Sequence, residues 1–140
     1  MTDKWGRRLF KTGAVVLVLL GLAHSVSFIE KQVPANDTEK QLLSLMANYK
    51  FDLMGSARSA DDLQRGFSIS FMLAVIGLGV LDLLWSGERA ELLKRLALFN
   101  AVWLAAMTGV SVYYFFAAPT SLLAAALLVF VAAWLKLPRV

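Results

Sequence analysis

GFSISFMLAVIGLGVLDLLW occupies residues 66–85. Within it Asp82 is the one charged residue. A helix needs about 20 apolar residues to cross the hydrocarbon core of a bilayer, so this stretch reads as a membrane span beginning near residue 64. Three further runs share its character. Residues 9–29 are interrupted by Lys11 and His24, residues 95–117 carry no charge beyond Arg95, and residues 120–137 reach spanning length by extending to Leu137.

Composition agrees with this reading. The chain has 140 residues, which suits a single membrane domain, 1–140. Hydrophobic residues make up 59%, against roughly half in a soluble domain. There is no cysteine, which excludes a disulfide framework, a thiolate metal site and a cysteine nucleophile. The net charge of +4 does not point to nucleic acid, because the basic residues cap apolar runs instead of forming one face with stacking aromatics. The first run is expected to be retained as a helix. Its apolar stretch exceeds the roughly 7–15 residues of a signal-peptide core, and no small-residue cleavage site follows it.

Lysine and arginine near span ends set orientation. Lys4, Arg7, Arg8 and Lys11 stand at the start of the first span; Arg89, Lys94 and Arg95 stand between the second and third; Lys136 and Arg139 stand at the end of the fourth. This alternation places both termini in the cytoplasm of a bacterial inner membrane. The first connection, 30–63, then faces outward with a mixture of both charge signs. Trp5, Trp85 and Trp134 fall at the inner boundary, where indole rings prefer to sit. Short second and third connections favour an all-α, up-down-up-down four-helix bundle. Small residues at Gly21, Ser25, Gly66, Ser70, Gly77 and Ala124 to Ala126 would allow close helix approach.

The outward connection is long enough to hold structure of its own. Thr38 and Gln41 fit a capping box. Leu42, Met46, Tyr49 and Leu53 then recur at helical spacing, which predicts an extra amphipathic helix over about 38–54 that rests on lipid or lids the bundle mouth. Gly55 suits its C-terminal end. Ser59 and Asp62 form a second capping box, and Asp61 and Asp62 suit the positive end of the next helix. Asp52 and Arg58 flank the Met54-Gly55-Ser56 turn; they read either as an ion pair or as a ligand-contacting set.

His24 is the one ionisable residue deep in the first span. Such residues are costly in lipid and usually face the bundle interior. It reads as a structural histidine, as a ligand-binding group or as a candidate catalytic acid or base. Metal binding has no support, since no second ligand stands at a suitable spacing. On the third span Asn100, Trp103, Met107, Ser111 and Tyr114 share one helical side, read as packing before pocket. Asn100 needs a hydrogen-bonding partner in lipid. Asp82 is expected to pair with Arg89 or Arg95.

Gly21-Leu22-Ala23-His24, the run from Phe51 to Ser59 and the run from Gly66 to Phe71 together resemble a group of small bacterial four-span proteins of unknown function. The likeness covers about a third of the chain. It implies a membrane protein with a polar cluster near its outer face and supplies no activity. Some members carry a second histidine one turn after the first; here that position is Phe28, so no paired-histidine metal site is implied. At the level of fold, four spans with a long first connection are also similar to DoxX-like and emopamil-binding-type proteins. Fold analogy does not carry function.

Three functions are compatible with these residues. The first is binding of a lipid-like or other amphipathic molecule at the outer face, with His24, Asp52, Arg58, Ser56 and Ser70 as the candidate ligand contacts. The second is a membrane-embedded enzyme, such as an isomerase, using His24 as acid or base. The third is an accessory subunit whose outward connection meets a membrane-protein partner or a second copy. No cofactor, metal or nucleic acid is expected; membrane lipids are the expected surroundings.

Overall fold

A computed structural model describes residues 2–26 and 33–138. Its elements are α1 (Thr2–Ser25), α2 (Asp37–Asn48), β1 (Lys50–Leu53), β2 (Ser56–Ser59), α3 (Ala60–Trp85), α4 (Ala90–Tyr114) and α5 (Ala117–Lys136). The fold is all-α apart from one two-stranded ribbon. Helices α1, α3, α4 and α5 are each long and apolar enough to cross a membrane. The expected end of the first span at 27–29, with Phe28, and the charges Glu30, Lys31 and Arg139 lie outside the described residues. Two compact units make up the chain, one of residues 1–21 with 75–140 and one of residues 22–74.

The first unit is held by close approach of helices at small residues. A Cβ on Gly79 of α3 would stand 2.7 Å from the Ala14 carbonyl oxygen of α1. Only a residue without a side chain permits that contact. One on Gly13 would stand 2.8 Å from the Phe130 ring. Phe130 and Phe10 meet edge to face, centroids 5.7 Å apart, a favoured aromatic arrangement. On α4 the buried residues Leu93, Ala97, Asn100, Ala101, Leu104 and Ser111 follow the helical period, and Ser111 shares a 2.8 Å hydroxyl bond with Thr120 of α5. At the termini end, Arg7 pairs with Asp3 at 3.2 Å and donates to the Glu88 carbonyl at 2.6 Å. Lys94 donates to the Leu137 carbonyl at 2.7 Å and lies over the Trp134 ring.

Several small residues behave otherwise than expected. A Cβ on Gly66 or Gly77 would meet nothing within 4 Å, so neither marks a helix contact; Ala126 is buried, while Ala125 is exposed. The α4 stripe also divides: Asn100 and Ser111 are buried, but Trp103 and Tyr114 are exposed.

In the second unit the amphipathic helix is shorter than its periodicity suggests. Asn36 caps α2, its side chain accepting from Glu39 N at 2.9 Å, while the Glu39 carboxylate accepts from Ala35 N at 2.6 Å. The cap is therefore two residues earlier than Thr38, and Glu39 reaches back to the residue before it. The helix ends at Asn48, and residues 50–53 are a strand. Strand β1 pairs antiparallel with β2 in the register Lys50↔Ser59, Phe51↔Arg58, Asp52↔Ala57, Leu53↔Ser56. The turn between them has positive φ at Met54 (52°) and Gly55 (87°), the type I′ geometry that matches the twist of a hairpin. Gly55 thus serves a hairpin, not a helix end, and Asp52 Oδ1 accepts from its N–H at 2.9 Å. Leu42, Tyr49 and Leu53 are exposed, and α2 buries no residue.

Candidate functional site

The hairpin delivers the chain to α3 through a reciprocal box. Ser59 Oγ accepts from Asp62 N at 3.1 Å, and Asp62 Oδ2 accepts from Ser59 N at 3.0 Å. Both bonds satisfy donors that a helix start would otherwise leave unpaired. Asp61 turns outward and pairs with Arg65 at 2.9 Å. The capping box expected at the start of this helix is therefore present, and its origin is local: the four residues Ser59 to Asp62 suffice to make it.

Against this corner lies an open concavity of about 610 Å³ lined by Lys50, Arg58, Asp62, Leu63, Gly66, Phe67 and Ser70. Lys50 comes from the first residue of β1, Arg58 from β2, and the remainder from the first turns of α3. The missing side chain at Gly66 leaves the wall open, and Phe67 presents an exposed ring. Two cations face one carboxylate that is already committed to the Ser59 cap. Among the described residues neither Lys50 nor Arg58 makes an ion pair; Arg58 Nη1 donates to the Ala57 carbonyl at 2.9 Å. A second, apolar concavity of about 400 Å³ is lined by Leu45, Met46, Tyr49, Phe51 and Ala60.

Of the five expected ligand contacts, Arg58 and Ser70 line the larger concavity, and Asp52, Ser56 and His24 do not. The expected Asp52–Arg58 pair does not form. In the observed register Arg58 stands opposite Phe51, and Asp52 opposite Ala57. The two are therefore not cross-strand partners. His24 is half-buried and packs edge-on against Phe71, centroids 5.1 Å apart and planes at 71°. Phe71 directly follows Ser70 on α3, which sets the histidine beside the concavity's helix without placing it in the lining.

Lys50 is the contact that sequence reading missed. Its signal was its equal offset from the turn: four residues before Met54, in step with Ser59 four residues after Gly55. The other missed arrangement lies in the first unit. Asp82 does not pair with Arg89 or Arg95, which are both exposed. Its Oδ2 accepts from Asn100 Nδ2 at 2.8 Å in the interior. Among the described residues no group of three or more His, Asp or Glu side chains could hold a metal ion. No family model, curated protein or solved structure matches the chain.

Proposed function

We propose that this chain is a multi-pass protein of the bacterial inner membrane, with both termini in the cytoplasm, that binds an anionic amphipathic molecule at its outer face. The observation that carries the reading is the concavity in which Lys50 and Arg58 share a lining with Leu63, Gly66 and Phe67 of α3. A carboxylate or phosphate head would meet the two cations; arginine offers such a group two parallel hydrogen bonds. A tail would follow Leu63 and Phe67 along a helix that is apolar enough to enter lipid. Ligand sites commonly combine an apolar wall with a few convergent polar groups. Binding is preferred to catalysis because His24, the candidate acid or base, packs on Phe71 outside the lining. The resemblance to small four-span proteins with a polar outer cluster agrees with this placement. An up-down-up-down order of the spans is supported by the succession of contacts in the first unit: α1 to α3 at Gly79, α3 to α4 at Asn100, α4 to α5 at Ser111 and α5 back to α1 at Phe130.

Native mass spectrometry of the protein released from detergent tests the reading. The wild type is expected to retain phosphatidylglycerol over phosphatidylcholine, and Lys50→Ala with Arg58→Ala to lose that preference. Arg58→Lys should recover only part of it, because lysine lacks the paired donors. Equal retention of both lipids by wild type and double variant sinks the proposal and favours a protein partner on the uncovered face of α2. Orientation is tested separately: the chain has no cysteine, so Ser44→Cys should react with an impermeant maleimide on intact cells.

A further inference from the structure

The interior of the first unit contains an acid and an amide whose hydrogen bonding is half complete. Asp82 is 2% exposed and Asn100 is fully buried. Asn100 Nδ2 donates to Asp82 Oδ2 at 2.8 Å. Asn100 Oδ1 is buried with no hydrogen-bond partner. An orphan acceptor in an apolar interior is costly, and an amide carbonyl can be satisfied only by a donor. The backbone N–H groups around it are committed to helix hydrogen bonds. Asn100 lies ten residues into α4, roughly 15 Å along it at 1.5 Å per residue, and meets Asp82, which stands one turn before the end of α3.

We infer that Asp82 and Asn100 form a proton-binding site, in which a proton on the second carboxyl oxygen of Asp82 is donated to Asn100 Oδ1. The proton is given up by a hydronium ion of the solvent, whose O–H bond breaks as the carboxyl O–H bond forms; no other covalent bond changes. The product is a cyclic acid–amide pair in which each group both donates and accepts. Reversing the amide leads to the same requirement, since its oxygen would then face a carboxyl oxygen and two acceptors need a proton between them.

The surrounding charges offer no alternative. On α1, Arg7 is held by Asp3 and the Glu88 carbonyl, and Lys11 is exposed. On the connection and α4, Glu88, Arg89, Glu91 and Arg95 are exposed, and Lys94 is held by the Leu137 carbonyl. On α5, Lys136 is exposed. A metal cation is a poor substitute, because hard cations take six or more oxygen ligands and this site has two side chains. The consequence is a switch. Losing the proton leaves a buried carboxylate beside an unsatisfied carbonyl, so the packed contact between α3 and α4 belongs to the protonated form. Water entry or separation of the helices at this point accompanies deprotonation.

Infrared spectroscopy of the full chain in bilayers, titrated over the pH range in which it stays folded, tests this. The expected result is a protonated-carboxyl stretch that is lost in Asp82→Asn. That variant should unfold within a few degrees of wild type, since a second amide can close the same ring, and its unfolding temperature should lack the fall with rising pH that Asp82 gives the wild type. The wild type should lose stability as pH rises and the proton leaves. Asn100→Asp supplies the second reading: two carboxyls sharing the site should still show a protonated stretch. A carboxyl spectrum identical in wild type and Asp82→Asn overturns the inference. So does a wild-type stability that follows sodium concentration and ignores pH.

Discussion

The two units of this chain are built by different physics. Every buried hydrophobic side chain among the described residues lies in the first unit, from Phe10, Ala14 and Leu17 through Leu93 and Leu104 to Phe130 and Leu137. Among the described residues of the second unit one side chain is buried, that of Ser59. It is shaped instead by short-range hydrogen bonds: the Asn36–Glu39 box, the Asp52 turn and the Ser59–Asp62 box. Packing of many weak contacts fixes helices against one another and leaves no room. Local polar bonds fix the course of the backbone and leave side chains uncovered. The open, charged concavity therefore occurs where there is no core to fill it, and the proton site occurs where the core admits one acid.

This contrast makes predictions of unequal size. The largest concerns Phe130, whose ring fills the space beside Gly13 and Phe10. Phe130→Ala should cost about 3–5 kcal/mol and lower the unfolding temperature of the purified protein sharply. Gly79→Ala comes next. Its added methyl meets a helix carbonyl that has nowhere to go, and overpacking of this kind costs about 1–3 kcal/mol. Gly66→Ala, with the same chemistry in open space, should instead gain up to about 1 kcal/mol from helix propensity. If the two glycine variants behave alike, the distinction between packed and open regions is wrong.

Legibility in the sequence follows the same division. The four long helices were readable because apolar length alone decides them. The Ser59–Asp62 box was readable because its partners are three residues apart. The end of α2 was not. Leu42, Met46, Tyr49 and Leu53 keep a helical spacing across a boundary where the backbone changes to strand, and the deciding feature is the Met54-Gly55 turn, whose two positive φ values demand a hairpin. Once that turn is misread as a helix end, register is lost, and with it the separation of Asp52 from Arg58. The Asp82–Asn100 contact was illegible for another reason. Its members are 18 residues apart on different helices, and only the crossing of α3 with α4 brings them together.

A smaller effect is expected at Ser59. Its hydroxyl caps α3, and its side chain is the one buried among the described residues of the second unit. Ser59→Ala should cost about 1 kcal/mol. The loss should appear as faster amide exchange over the first turn of α3, with the exchange of α4 and α5 unaltered. Slowed or unchanged exchange there would mean that the box does not hold the helix start.

The smallest effect is a gain, and it tests whether the second unit is stabilised locally. Met54 holds φ at 52° with its side chain fully exposed. For a residue with a Cβ, the left-handed conformation is unfavourable by roughly 1–2 kcal/mol, and nothing in the hairpin repays this through contacts of the methionine. Asparagine tolerates that conformation, and Asn-Gly is the strongest pair for a type I′ turn. Met54→Asn should therefore slow amide exchange across the paired residues Lys50 to Ser59 by up to several-fold. Because the hairpin shares no buried apolar side chain with a core, this gain should stay within it and leave the global unfolding temperature where it was. A rise in both quantities together would show that hairpin and helices unfold as one cooperative body, and the two modes of construction would then be a single one.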